Sequence, residues 1–229
     1  MGIDYNPVIS TDGLSIYLDA ANTRSYSGSG LTVNGLISGI GGTLVNGVGF
    51  GSTNNGYFIF DGTNDYIPIG SLGSFYSQGT ISFWMNSSDV SASIRNPFST
   101  NYGISSNVNV LRYETAAELS GSLRCWLGDP SGNVQGLYYS NISSNTWYNV
   151  AVSWNQSTTT VSGYLNGNLN VSNSSWIRWP STFANIALGY GYTNRYFSGN
   201  ISSLQVYNRA LSASEILQNY NATKRRYGL

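Results

Sequence analysis

The residues with the clearest potential for chemistry are the glutamates, of which the chain has three: Glu114, Glu118 and Glu215. Glycan hydrolysis requires two carboxyl groups, one acting as general acid and the other as nucleophile or base. Glu114 and Glu118 are four residues apart, so on a strand both would lie on one face. However, residues 114–118 are predicted as a loop or a poor strand, in which the two carboxyl groups would not be held on one face. We therefore expect a protein that is not an enzyme.

Other catalytic arrangements are limited by composition. The chain has no histidine and one cysteine, Cys125. Ser-His-Asp and Cys-His triads are therefore impossible, as are histidine-rich metal sites. Cys125 alternates with Arg124 and Trp126, which predicts a small buried hydrophobic side chain rather than a nucleophile.

Calcium is the one cofactor that the sequence suggests. Asp61, Asn64 and Asp65 bring three oxygen-bearing side chains together around a glycine, and such hard oxygen ligands suit Ca²⁺. The alternative is a tight turn in which Asp61 and Asn64 accept hydrogen bonds from their own backbone. Both interpretations stay open at this point.

An aromatic, glycine-flanked hairpin at residues 189–199 is the main candidate for ligand contact. Aromatic rings offer apolar faces to sugar C–H groups, and an amide and a guanidinium offer donors. The alternative is that these rings pack on a sheet, since tyrosine favours strands. We expect an exposed rim, because a buried arginine would need a partner. The candidate ligand-binding residues are Tyr190, Tyr192, Asn194, Arg195 and Tyr196, followed by Trp126 and Tyr102 on the sheet face opposite the core.

The elements that must position these residues are short strands. Apolar and polar residues alternate in several segments separated by glycine, asparagine and serine, which is typical of a β-sandwich. Residues 80–85, 146–154 and 203–207 are examples. Asn166-Gly167 predicts a two-residue hairpin turn.

One helix is predicted, from Ala213 to about Thr223. Ser212 and Glu215 form a capping box, and Leu211 and Ile216 are placed to form a hydrophobic staple. Its apolar face is predicted to contain Ile216, Leu217 and Tyr220. A basic cluster follows at residues 224–226, for which a solvated helix end is favoured over docking into an acidic neighbour.

Several of these segments resemble one superfamily in order and spacing. They are Asp12–Asn22 (DGLSIYLDAAN), Phe58–Ile69 (FIFDGTNDYIPI), Thr80–Met85 (TISFWM), Thr146–Trp154 (TWYNVAVSW), Gly163–Asn170 (GYLNGNLN) and 207–216 (YNRALSASEI). The chain resembles the concanavalin A-like, or laminin G-like, jelly-roll superfamily from about Gly13 to its end. The resemblance implies sugar or protein binding, and in some members glycan hydrolysis. The glycine-rich segment 27–51 departs from the family pattern.

The two ends of the chain are most similar to stand-alone forms of this domain in tailed-phage virions. That resemblance implies a lectin-like protein on the virion surface, in capsid decoration or in the tail or fibre, which attaches to glycans. The alternatives are a purely structural cement protein and a glycan hydrolase. The implied partners are other virion proteins and cell-surface polysaccharide, with the chain in a homo-oligomer or a larger assembly.

The composition of the chain argues against two other classes of partner, nucleic acids and membranes. Charged residues make up 9% of the 229 residues, and ten basic residues balance ten acidic ones. Without a basic surface, the electrostatic attraction that dominates nucleic-acid binding is missing. No apolar run approaches a membrane span, and the first residues lack the features of a secretory signal. We therefore expect neither nucleic acid nor membrane as a partner, and a protein made in the host cytoplasm and then exposed on the particle.

The expected fold is all-β: a single antiparallel two-sheet β-sandwich of jelly-roll type with one short C-terminal α-helix. We divide the chain into an N-terminal extension (1–12), the sandwich (13–211), and the C-terminal helix with its basic tail (212–229) packed on the sandwich.

Overall fold

The computed structural model describes residues 8–90, 93–115 and 122–229. Within them the strands, numbered β1 to β18 in chain order, are Leu14–Asp19, Thr32–Val33, Gly42–Thr43, Gly49–Gly51, Tyr57–Asp61, Ile67–Gly70, Gly73–Ser74, Gln78–Ser87, Phe98–Ser99, Leu111–Thr115, Leu123–Gly128, Val134–Tyr139, Trp147–Asn155, Thr160–Leu165, Asn168–Asn173, Thr182–Phe183, Ile186–Leu188 and Ser198–Tyr207. The helix α1 spans Ala213–Thr223, and short 3₁₀ turns span Thr53–Asn55 and Lys224–Tyr227.

Most strands belong to two antiparallel sheets. The larger has the order β15-β14-β13-β8-β18-β5-β4, with β1 also paired to β18. The smaller has the order β12-β11-β10-β9-β17-β6. Two further pairs, β2 with β3 and β7 with β16, lie outside both sheets. The predicted fold class, an all-β sandwich with one short C-terminal helix, is confirmed.

The core lies between the two sheets and follows the predicted alternation. Ile81, Phe83 and Met85 of β8 point inward and are fully buried. They face the smaller sheet, whose Tyr113 ring contacts Phe83 edge to face with 4.9 Å between ring centroids. Cys125, also from the smaller sheet, is buried in the same core, and burial raises the pKa of its thiol. It is therefore a core side chain, as its pattern predicts.

A second, smaller cluster lies on the other face of the larger sheet. Thr80, Ser82 and Trp84 alternate with the core residues of β8 and would face water in an open sheet, yet all three are buried. Helix α1 and the C-terminal turn cover Trp84: its indole nitrogen donates to Thr223 Oγ1 at 2.9 Å, and its ring stacks on Tyr220 and Tyr227. The segment before the helix covers Thr80, whose hydroxyl accepts from the Leu211 amide at 2.8 Å. The sheet is therefore covered on both faces at β8.

The helix begins as predicted, with both hydrogen bonds of the capping box formed between Ser212 and Glu215. Arg209 donates to the Glu215 carboxylate, and together with the cap this lowers the pKa of Glu215 to about 2. The predicted packing face is wrong at Leu217, which is 40% exposed. The buried helix residues are Ile216, Asn219 and Thr223, because the helix packs through a polar network with Tyr207 as well as through Ile216.

The helix cap gives a direct test of this packing. Replacing Ser212 by alanine removes the acceptor for the Glu215 amide, and it should lower the free energy of unfolding by about 1 kcal/mol. Denaturant unfolding followed by tryptophan fluorescence would measure it, since Trp84 lies under the helix. Ser131→Ala, at an exposed serine in the turn between β11 and β12, is the matched control. Equal unfolding midpoints for the two variants would contradict a stabilising cap.

The basic tail differs from its predicted solvated state. Arg226 donates to both carboxylate oxygens of Asp19 at 2.8 and 2.9 Å, and the Asp19 side chain is 2% exposed. Tyr227 beside it stacks on Trp84 and hydrogen bonds to Ser202. Of the three basic residues, Arg225 is exposed and forms no ion pair with another described residue, whereas Lys224 and Arg226 are half-buried. The tail is therefore part of the folded domain.

The Asn166-Gly167 turn is confirmed: both residues have positive φ, 51° and 77°, and join β14 to the antiparallel β15. No helix within the described parts of the chain is long and apolar enough to span a membrane.

Candidate functional site

The structure places Glu114 in a strand, the second of the two predicted possibilities, a loop or a poor strand. Glu114 lies in β10, and its neighbours Tyr113 and Thr115 point into the sandwich. Glu118, its predicted partner, lies outside the described residues. Strand β10 pairs with β11 in a register that sets Glu114 opposite Arg124 and Arg112 opposite Trp126. These four side chains therefore share the outer face of the smaller sheet.

Glu114 is the centre of a charged cluster. Its side chain is 2% exposed and accepts from Arg112 Nε at 2.8 Å and from Arg195 Nη1 at 2.7 Å, both at Oε1. Its Oε2 accepts from Arg124 Nη2 at 3.1 Å and from the Trp126 indole at 2.9 Å. Both oxygens are thus engaged by donors from three segments of the chain.

A pocket of about 280 Å³ opens over this cluster, and we call it the arginine pocket. Its lining includes Arg112, Glu114, Arg124, Trp126, Tyr192 and Arg195. Among its described lining residues, three guanidiniums face one carboxylate. Burial lowers the pKa of Arg112, against the opposing effect of Glu114. The excess of cations makes the pocket suited to an anion.

Arg195 lies at the mouth of the pocket with its side chain 30% exposed. Its guanidinium is 4.4 Å from the Tyr192 ring, and that ring also contacts the Arg112 guanidinium at 5.1 Å. Among the described residues only Nη1 of the Arg195 side chain makes a hydrogen bond, so Nε and Nη2 remain available to a ligand. Arg195 is therefore a cation that is held in place but has unused donors.

The loop that carries Tyr192 is anchored to the core. The Tyr192 amide donates to Asn96 Oδ1 at 2.9 Å, and fully buried Asn96 donates in turn to the Tyr113 carbonyl at 2.9 Å. The Tyr192 hydroxyl donates to the Ser105 carbonyl at 2.9 Å. These bonds fix the aromatic side of the pocket.

Aromatic surface continues from the pocket along the sheet. Trp126 is half-buried, and its ring meets exposed Tyr138 edge to face at 6.0 Å. Gly136 lies between them, where a Cβ would come within 2.9 Å of the Trp126 ring, so the glycine makes room for the indole. The two rings extend the pocket as an apolar platform.

The other predicted ligand residues belong to a different group. Tyr190 stacks on Tyr196 with centroids 4.2 Å apart, and with Tyr66 and Tyr102 these rings form a tyrosine cluster. Burial raises the pKa of Tyr190 to about 12. Exposed Asn194 lies at the turn between the two groups and lines neither the arginine pocket nor the other described pockets. The predicted set is therefore divided, with Tyr192, Arg195 and Trp126 in the arginine pocket.

The predicted exposed rim is instead half-buried. Tyr190, Tyr192 and Arg195 all have intermediate exposure, because their loop packs on Asn96 and on the charged cluster. Arg112 and Arg124 were not predicted as site residues, and Glu114 was not predicted to lie in a regular strand. The signal was present in Leu-Arg-Tyr-Glu-Thr and Leu-Arg-Cys-Trp-Leu, where Arg112 and Glu114, and Arg124 and Trp126, alternate with residues of the core.

The candidate calcium residues form a turn. Asp61 Oδ1 accepts from the Thr63 amide at 2.7 Å, and Asp65 Oδ2 accepts from the Asp61 amide at 3.0 Å. The Asn64 backbone carbonyl accepts from Asn46. Burial raises the pKa of Asp65, whose Oδ1 has no partner among the described residues. Ca²⁺ takes six to eight oxygens. Asp61 Oδ1 and Asp65 Oδ2 are instead bonded to backbone amides of the turn itself, so the tight-turn interpretation fits these residues better than a calcium site. No group of three acidic, cysteine or histidine side chains in the described parts of the chain could hold a metal.

The chemistry of the arginine pocket favours binding over catalysis. A glycosidase keeps two carboxyl groups free to transfer protons or attack, roughly 5 to 10 Å apart. Glu114 is the only carboxylate among the described residues that line the pocket, and four donors hold it. The arrangement can recognise an anionic group, and the adjacent rings can contact an apolar face.

The fold is thus a jelly-roll sandwich with an aromatic and cationic pocket on its smaller sheet. The family model of the concanavalin A-like lectin/glucanases superfamily matches residues 61–217, and the chain belongs to this superfamily. A comparison with curated proteins found no match.

Solved structures with the same fold are receptor- or ligand-binding domains of clostridial toxins. The binding domain of Paraclostridial Mosquitocidal Protein 1 aligns with a TM-score of 0.70 and 18% identity over 92% of this chain and 52% of that chain. The botulinum neurotoxin type G receptor binding domain aligns with a TM-score of 0.67 and 18% identity, over 91% of this chain and 51% of that chain. The botulinum neurotoxin serotype D ligand binding domain, in complex with N-acetylneuraminic acid, aligns with a TM-score of 0.70 and 15% identity, over 91% of this chain and 50% of that chain. The chain thus spans about half the length of these structures, and the likeness concerns the fold.

Proposed function

We propose that this protein is a non-catalytic, lectin-like attachment domain that binds acidic glycans in the arginine pocket. The ligand group would be a sugar carboxylate or sulfate, held by Arg195 at the mouth and by the positive charge of Arg112 and Arg124 behind it. Trp126 and Tyr138 would contact the apolar faces of the neighbouring sugar units.

The observation that carries this proposal is that Arg195 is held in a fixed orientation and still has unused hydrogen-bond donors. A guanidinium is a rigid fork of five N–H donors that matches carboxylates and sulfates. Here one nitrogen is bonded to Glu114, and the Tyr192 ring supports the guanidinium plane. A ligand therefore meets a donor fork that is already oriented, which lowers the entropic cost of binding.

One comparison supports the ligand class. The serotype D toxin domain is described in complex with N-acetylneuraminic acid, a sugar that bears a carboxylate. The match covers 50% of that chain, so the sugar is not assigned to the half that this protein resembles. The proposal therefore rests on the pocket itself.

The absence of catalysis is part of the proposal. The engaged Glu114 carboxylate has no free oxygen with which to act as nucleophile or general acid in the way that glycosidases require. We expect acidic oligosaccharides incubated with the protein to be recovered intact. Release of reducing ends that stops in a Glu114→Gln variant would refute this part.

Binding to a chondroitin sulfate tetrasaccharide, tetragalacturonate and sialyllactose, measured by calorimetry, tests the site. Arg195→Ala should weaken binding of the preferred probe about 10- to 100-fold, the effect of losing a hydrogen bond to a charged group. Arg195→Lys should recover only part of the affinity, because an ammonium lacks the fork. Exposed Arg24→Ala is the matched control and should bind as the wild type does.

The outcome of this experiment is decisive because stability changes little. After loss of Arg195, Glu114 keeps Arg112 and Arg124 as partners, so the unfolding free energy should fall by only about 1 kcal/mol. Equal affinities for Arg195→Ala and Arg24→Ala, or no binding of any acidic probe, would contradict the proposal and would favour a cement protein.

The proposed setting is the surface of a virion, where the domain would assemble with other virion proteins or with copies of itself and face the host cell. The support is the resemblance of the two ends of the sequence to phage virion proteins. Immunogold labelling of intact particles tests the location, and labelling confined to lysed cells would contradict it.

A further inference from the structure

A second pocket lies at the opposite edge of the smaller sheet, and nothing in the proposed acidic site accounts for it. It has a volume of about 500 Å³ and lies between the β2–β3 hairpin and β6. Tyr102 and Asn185 close its remaining side. We call it the hairpin pocket. It belongs to the glycine-rich segment in which the sequence departs from its superfamily.

Glycine allows the hairpin to close over this space. A Cβ at Gly41 would lie 2.2 Å from the Val33 carbonyl oxygen, and one at Gly35 would lie 2.2 Å from the Ile40 carbonyl oxygen. Neither contact is tolerable, and backbone atoms cannot rotate away as a side chain could. The tight hairpin therefore requires glycine at both positions, and it forms one wall of the pocket.

The lining of the hairpin pocket is uncharged and combines polar with apolar groups. No lysine, arginine, aspartate or glutamate is among its described lining residues. Five lining side chains carry hydroxyl or amide groups: Thr32, Asn34, Thr43, Tyr102 and Asn185. None of these side-chain groups makes a hydrogen bond to another described residue. The pocket thus offers neutral donors and acceptors that the fold does not use.

Tyr102 gives the pocket an oriented aromatic ring. The ring is half-buried and tilts against Tyr66 and Tyr190 with centroids 5.7 and 5.8 Å away. Its backbone amide donates to the Asn185 carbonyl at 3.4 Å, which joins the two residues on this side. Packing of the ring in the tyrosine cluster means that little side-chain entropy is lost when a ligand contacts it.

We propose that the hairpin pocket is a binding site for an uncharged pyranose, a hexose or an N-acetylhexosamine within a glycan. A sugar hydroxyl both donates and accepts, which suits threonine, asparagine and tyrosine groups, and the C–H face of the ring suits Tyr102. An anion would find no cation here, and an apolar ligand would leave the polar groups unpaired.

This site is separate from the arginine pocket. The arginine pocket lies over β10 and β11, whereas the hairpin pocket borders β6. Strands β10, β9, β17 and β6 are successive neighbours, so three strand spacings, about 14 Å, lie between the two sites. The second site therefore does not depend on the first, and either proposal can be refuted without affecting the other.

The test is an NMR titration of the ¹⁵N-labelled protein with maltotetraose, cellotetraose, mannotetraose and chitotetraose, all uncharged. At least one should shift the amide signals of Gly39, Gly41 and Asn185. Asn34→Ala and Tyr102→Ala should each weaken that binding about tenfold, the effect of losing one good contact. Asn168→Ala, an exposed asparagine on another hairpin, is the matched control.

Two variants separate this proposal from the acidic site. Binding of the neutral probe should persist in Arg195→Ala, and binding of the acidic probe should persist in Asn34→Ala. Absence of shifts with all four probes would overturn the proposal. Shifts that map away from the hairpin pocket, or that are equal in Asn34→Ala and Asn168→Ala, would overturn it as well.

Discussion

Replacing Glu114 by alanine should lower the free energy of unfolding by about 3 to 5 kcal/mol, the cost of leaving a buried charge without its partner. Arg112 has a side chain only 6% exposed and donates to Glu114 at 2.8 Å. Without the carboxylate, the Arg112 and Arg195 guanidiniums, which repel each other, would lose the counter-ion that they share. Urea denaturation of the purified variant measures the loss.

The same variant should also lose the proposed binding of acidic glycans. Arg195 would no longer be oriented by its 2.7 Å bond to Glu114, so the donor fork would not be held toward the ligand. Glu114→Gln is the informative control, because it keeps the shape and an acceptor for Trp126 but removes the charge. It should be intermediate in stability. If Glu114→Ala unfolded at the wild-type urea concentration, the cluster would contribute nothing to the fold.

Replacing Arg226 by alanine should cost about 3 kcal/mol, again as a buried carboxylate without its cation. Among the described residues, the Asp19 carboxylate would keep only the Tyr17 hydroxyl and the Ala21 amide as donors, both at 3.0 Å. The C-terminal turn would also loosen, since Tyr227, next to Arg226, covers Trp84. Thermal unfolding and quenching of tryptophan fluorescence by acrylamide should both report the change.

Arg225→Ala is the matched control, since Arg225 is the exposed neighbour in the same turn. A surface substitution of this kind stays within about 0.5 kcal/mol of the wild type. Equal unfolding temperatures for the two variants would show that the basic tail is a solvated helix end after all. A loss confined to Arg226→Ala would establish that the tail holds the helix on the sheet.

The two pockets give the smaller sheet two kinds of ligand surface. The arginine pocket suits an anionic group, and the hairpin pocket suits a neutral sugar. If both bind, a glycan that contains acidic and neutral units could contact the two sites at once, and its avidity would exceed that of either site. A mixed-charge polysaccharide should then bind more tightly than either class of tetrasaccharide.

Local features of the fold were predictable from sequence because they depend on neighbouring residues. The capping box of α1 needs only Ser212 and Glu215, and the Asn166-Gly167 turn needs only residues that tolerate positive φ. The buried face of β8 follows from period-two alternation. The same physics applies whatever the rest of the chain does.

The buried faces of α1 and of the basic tail were harder to predict because they depend on distant partners. The helix buries Asn219 rather than Leu217 since Tyr207 and Gln205 offer hydrogen bonds at that position. Arg226 is paired because β1 brings Asp19 to it across 207 residues of sequence. No local pattern carries that information.

For the functional site, the sequence by itself determined the residue types: tyrosines and Arg195 in one hairpin, few carboxylates, and no histidine. The tertiary structure decided which of them meet. Glu114 joins Arg112, Arg124 and Arg195 through the register of β10 with β11 and through a loop some 80 residues away. A charged cluster of this kind is stable only when long-range pairing brings the charges together, because an isolated buried charge is too costly to keep.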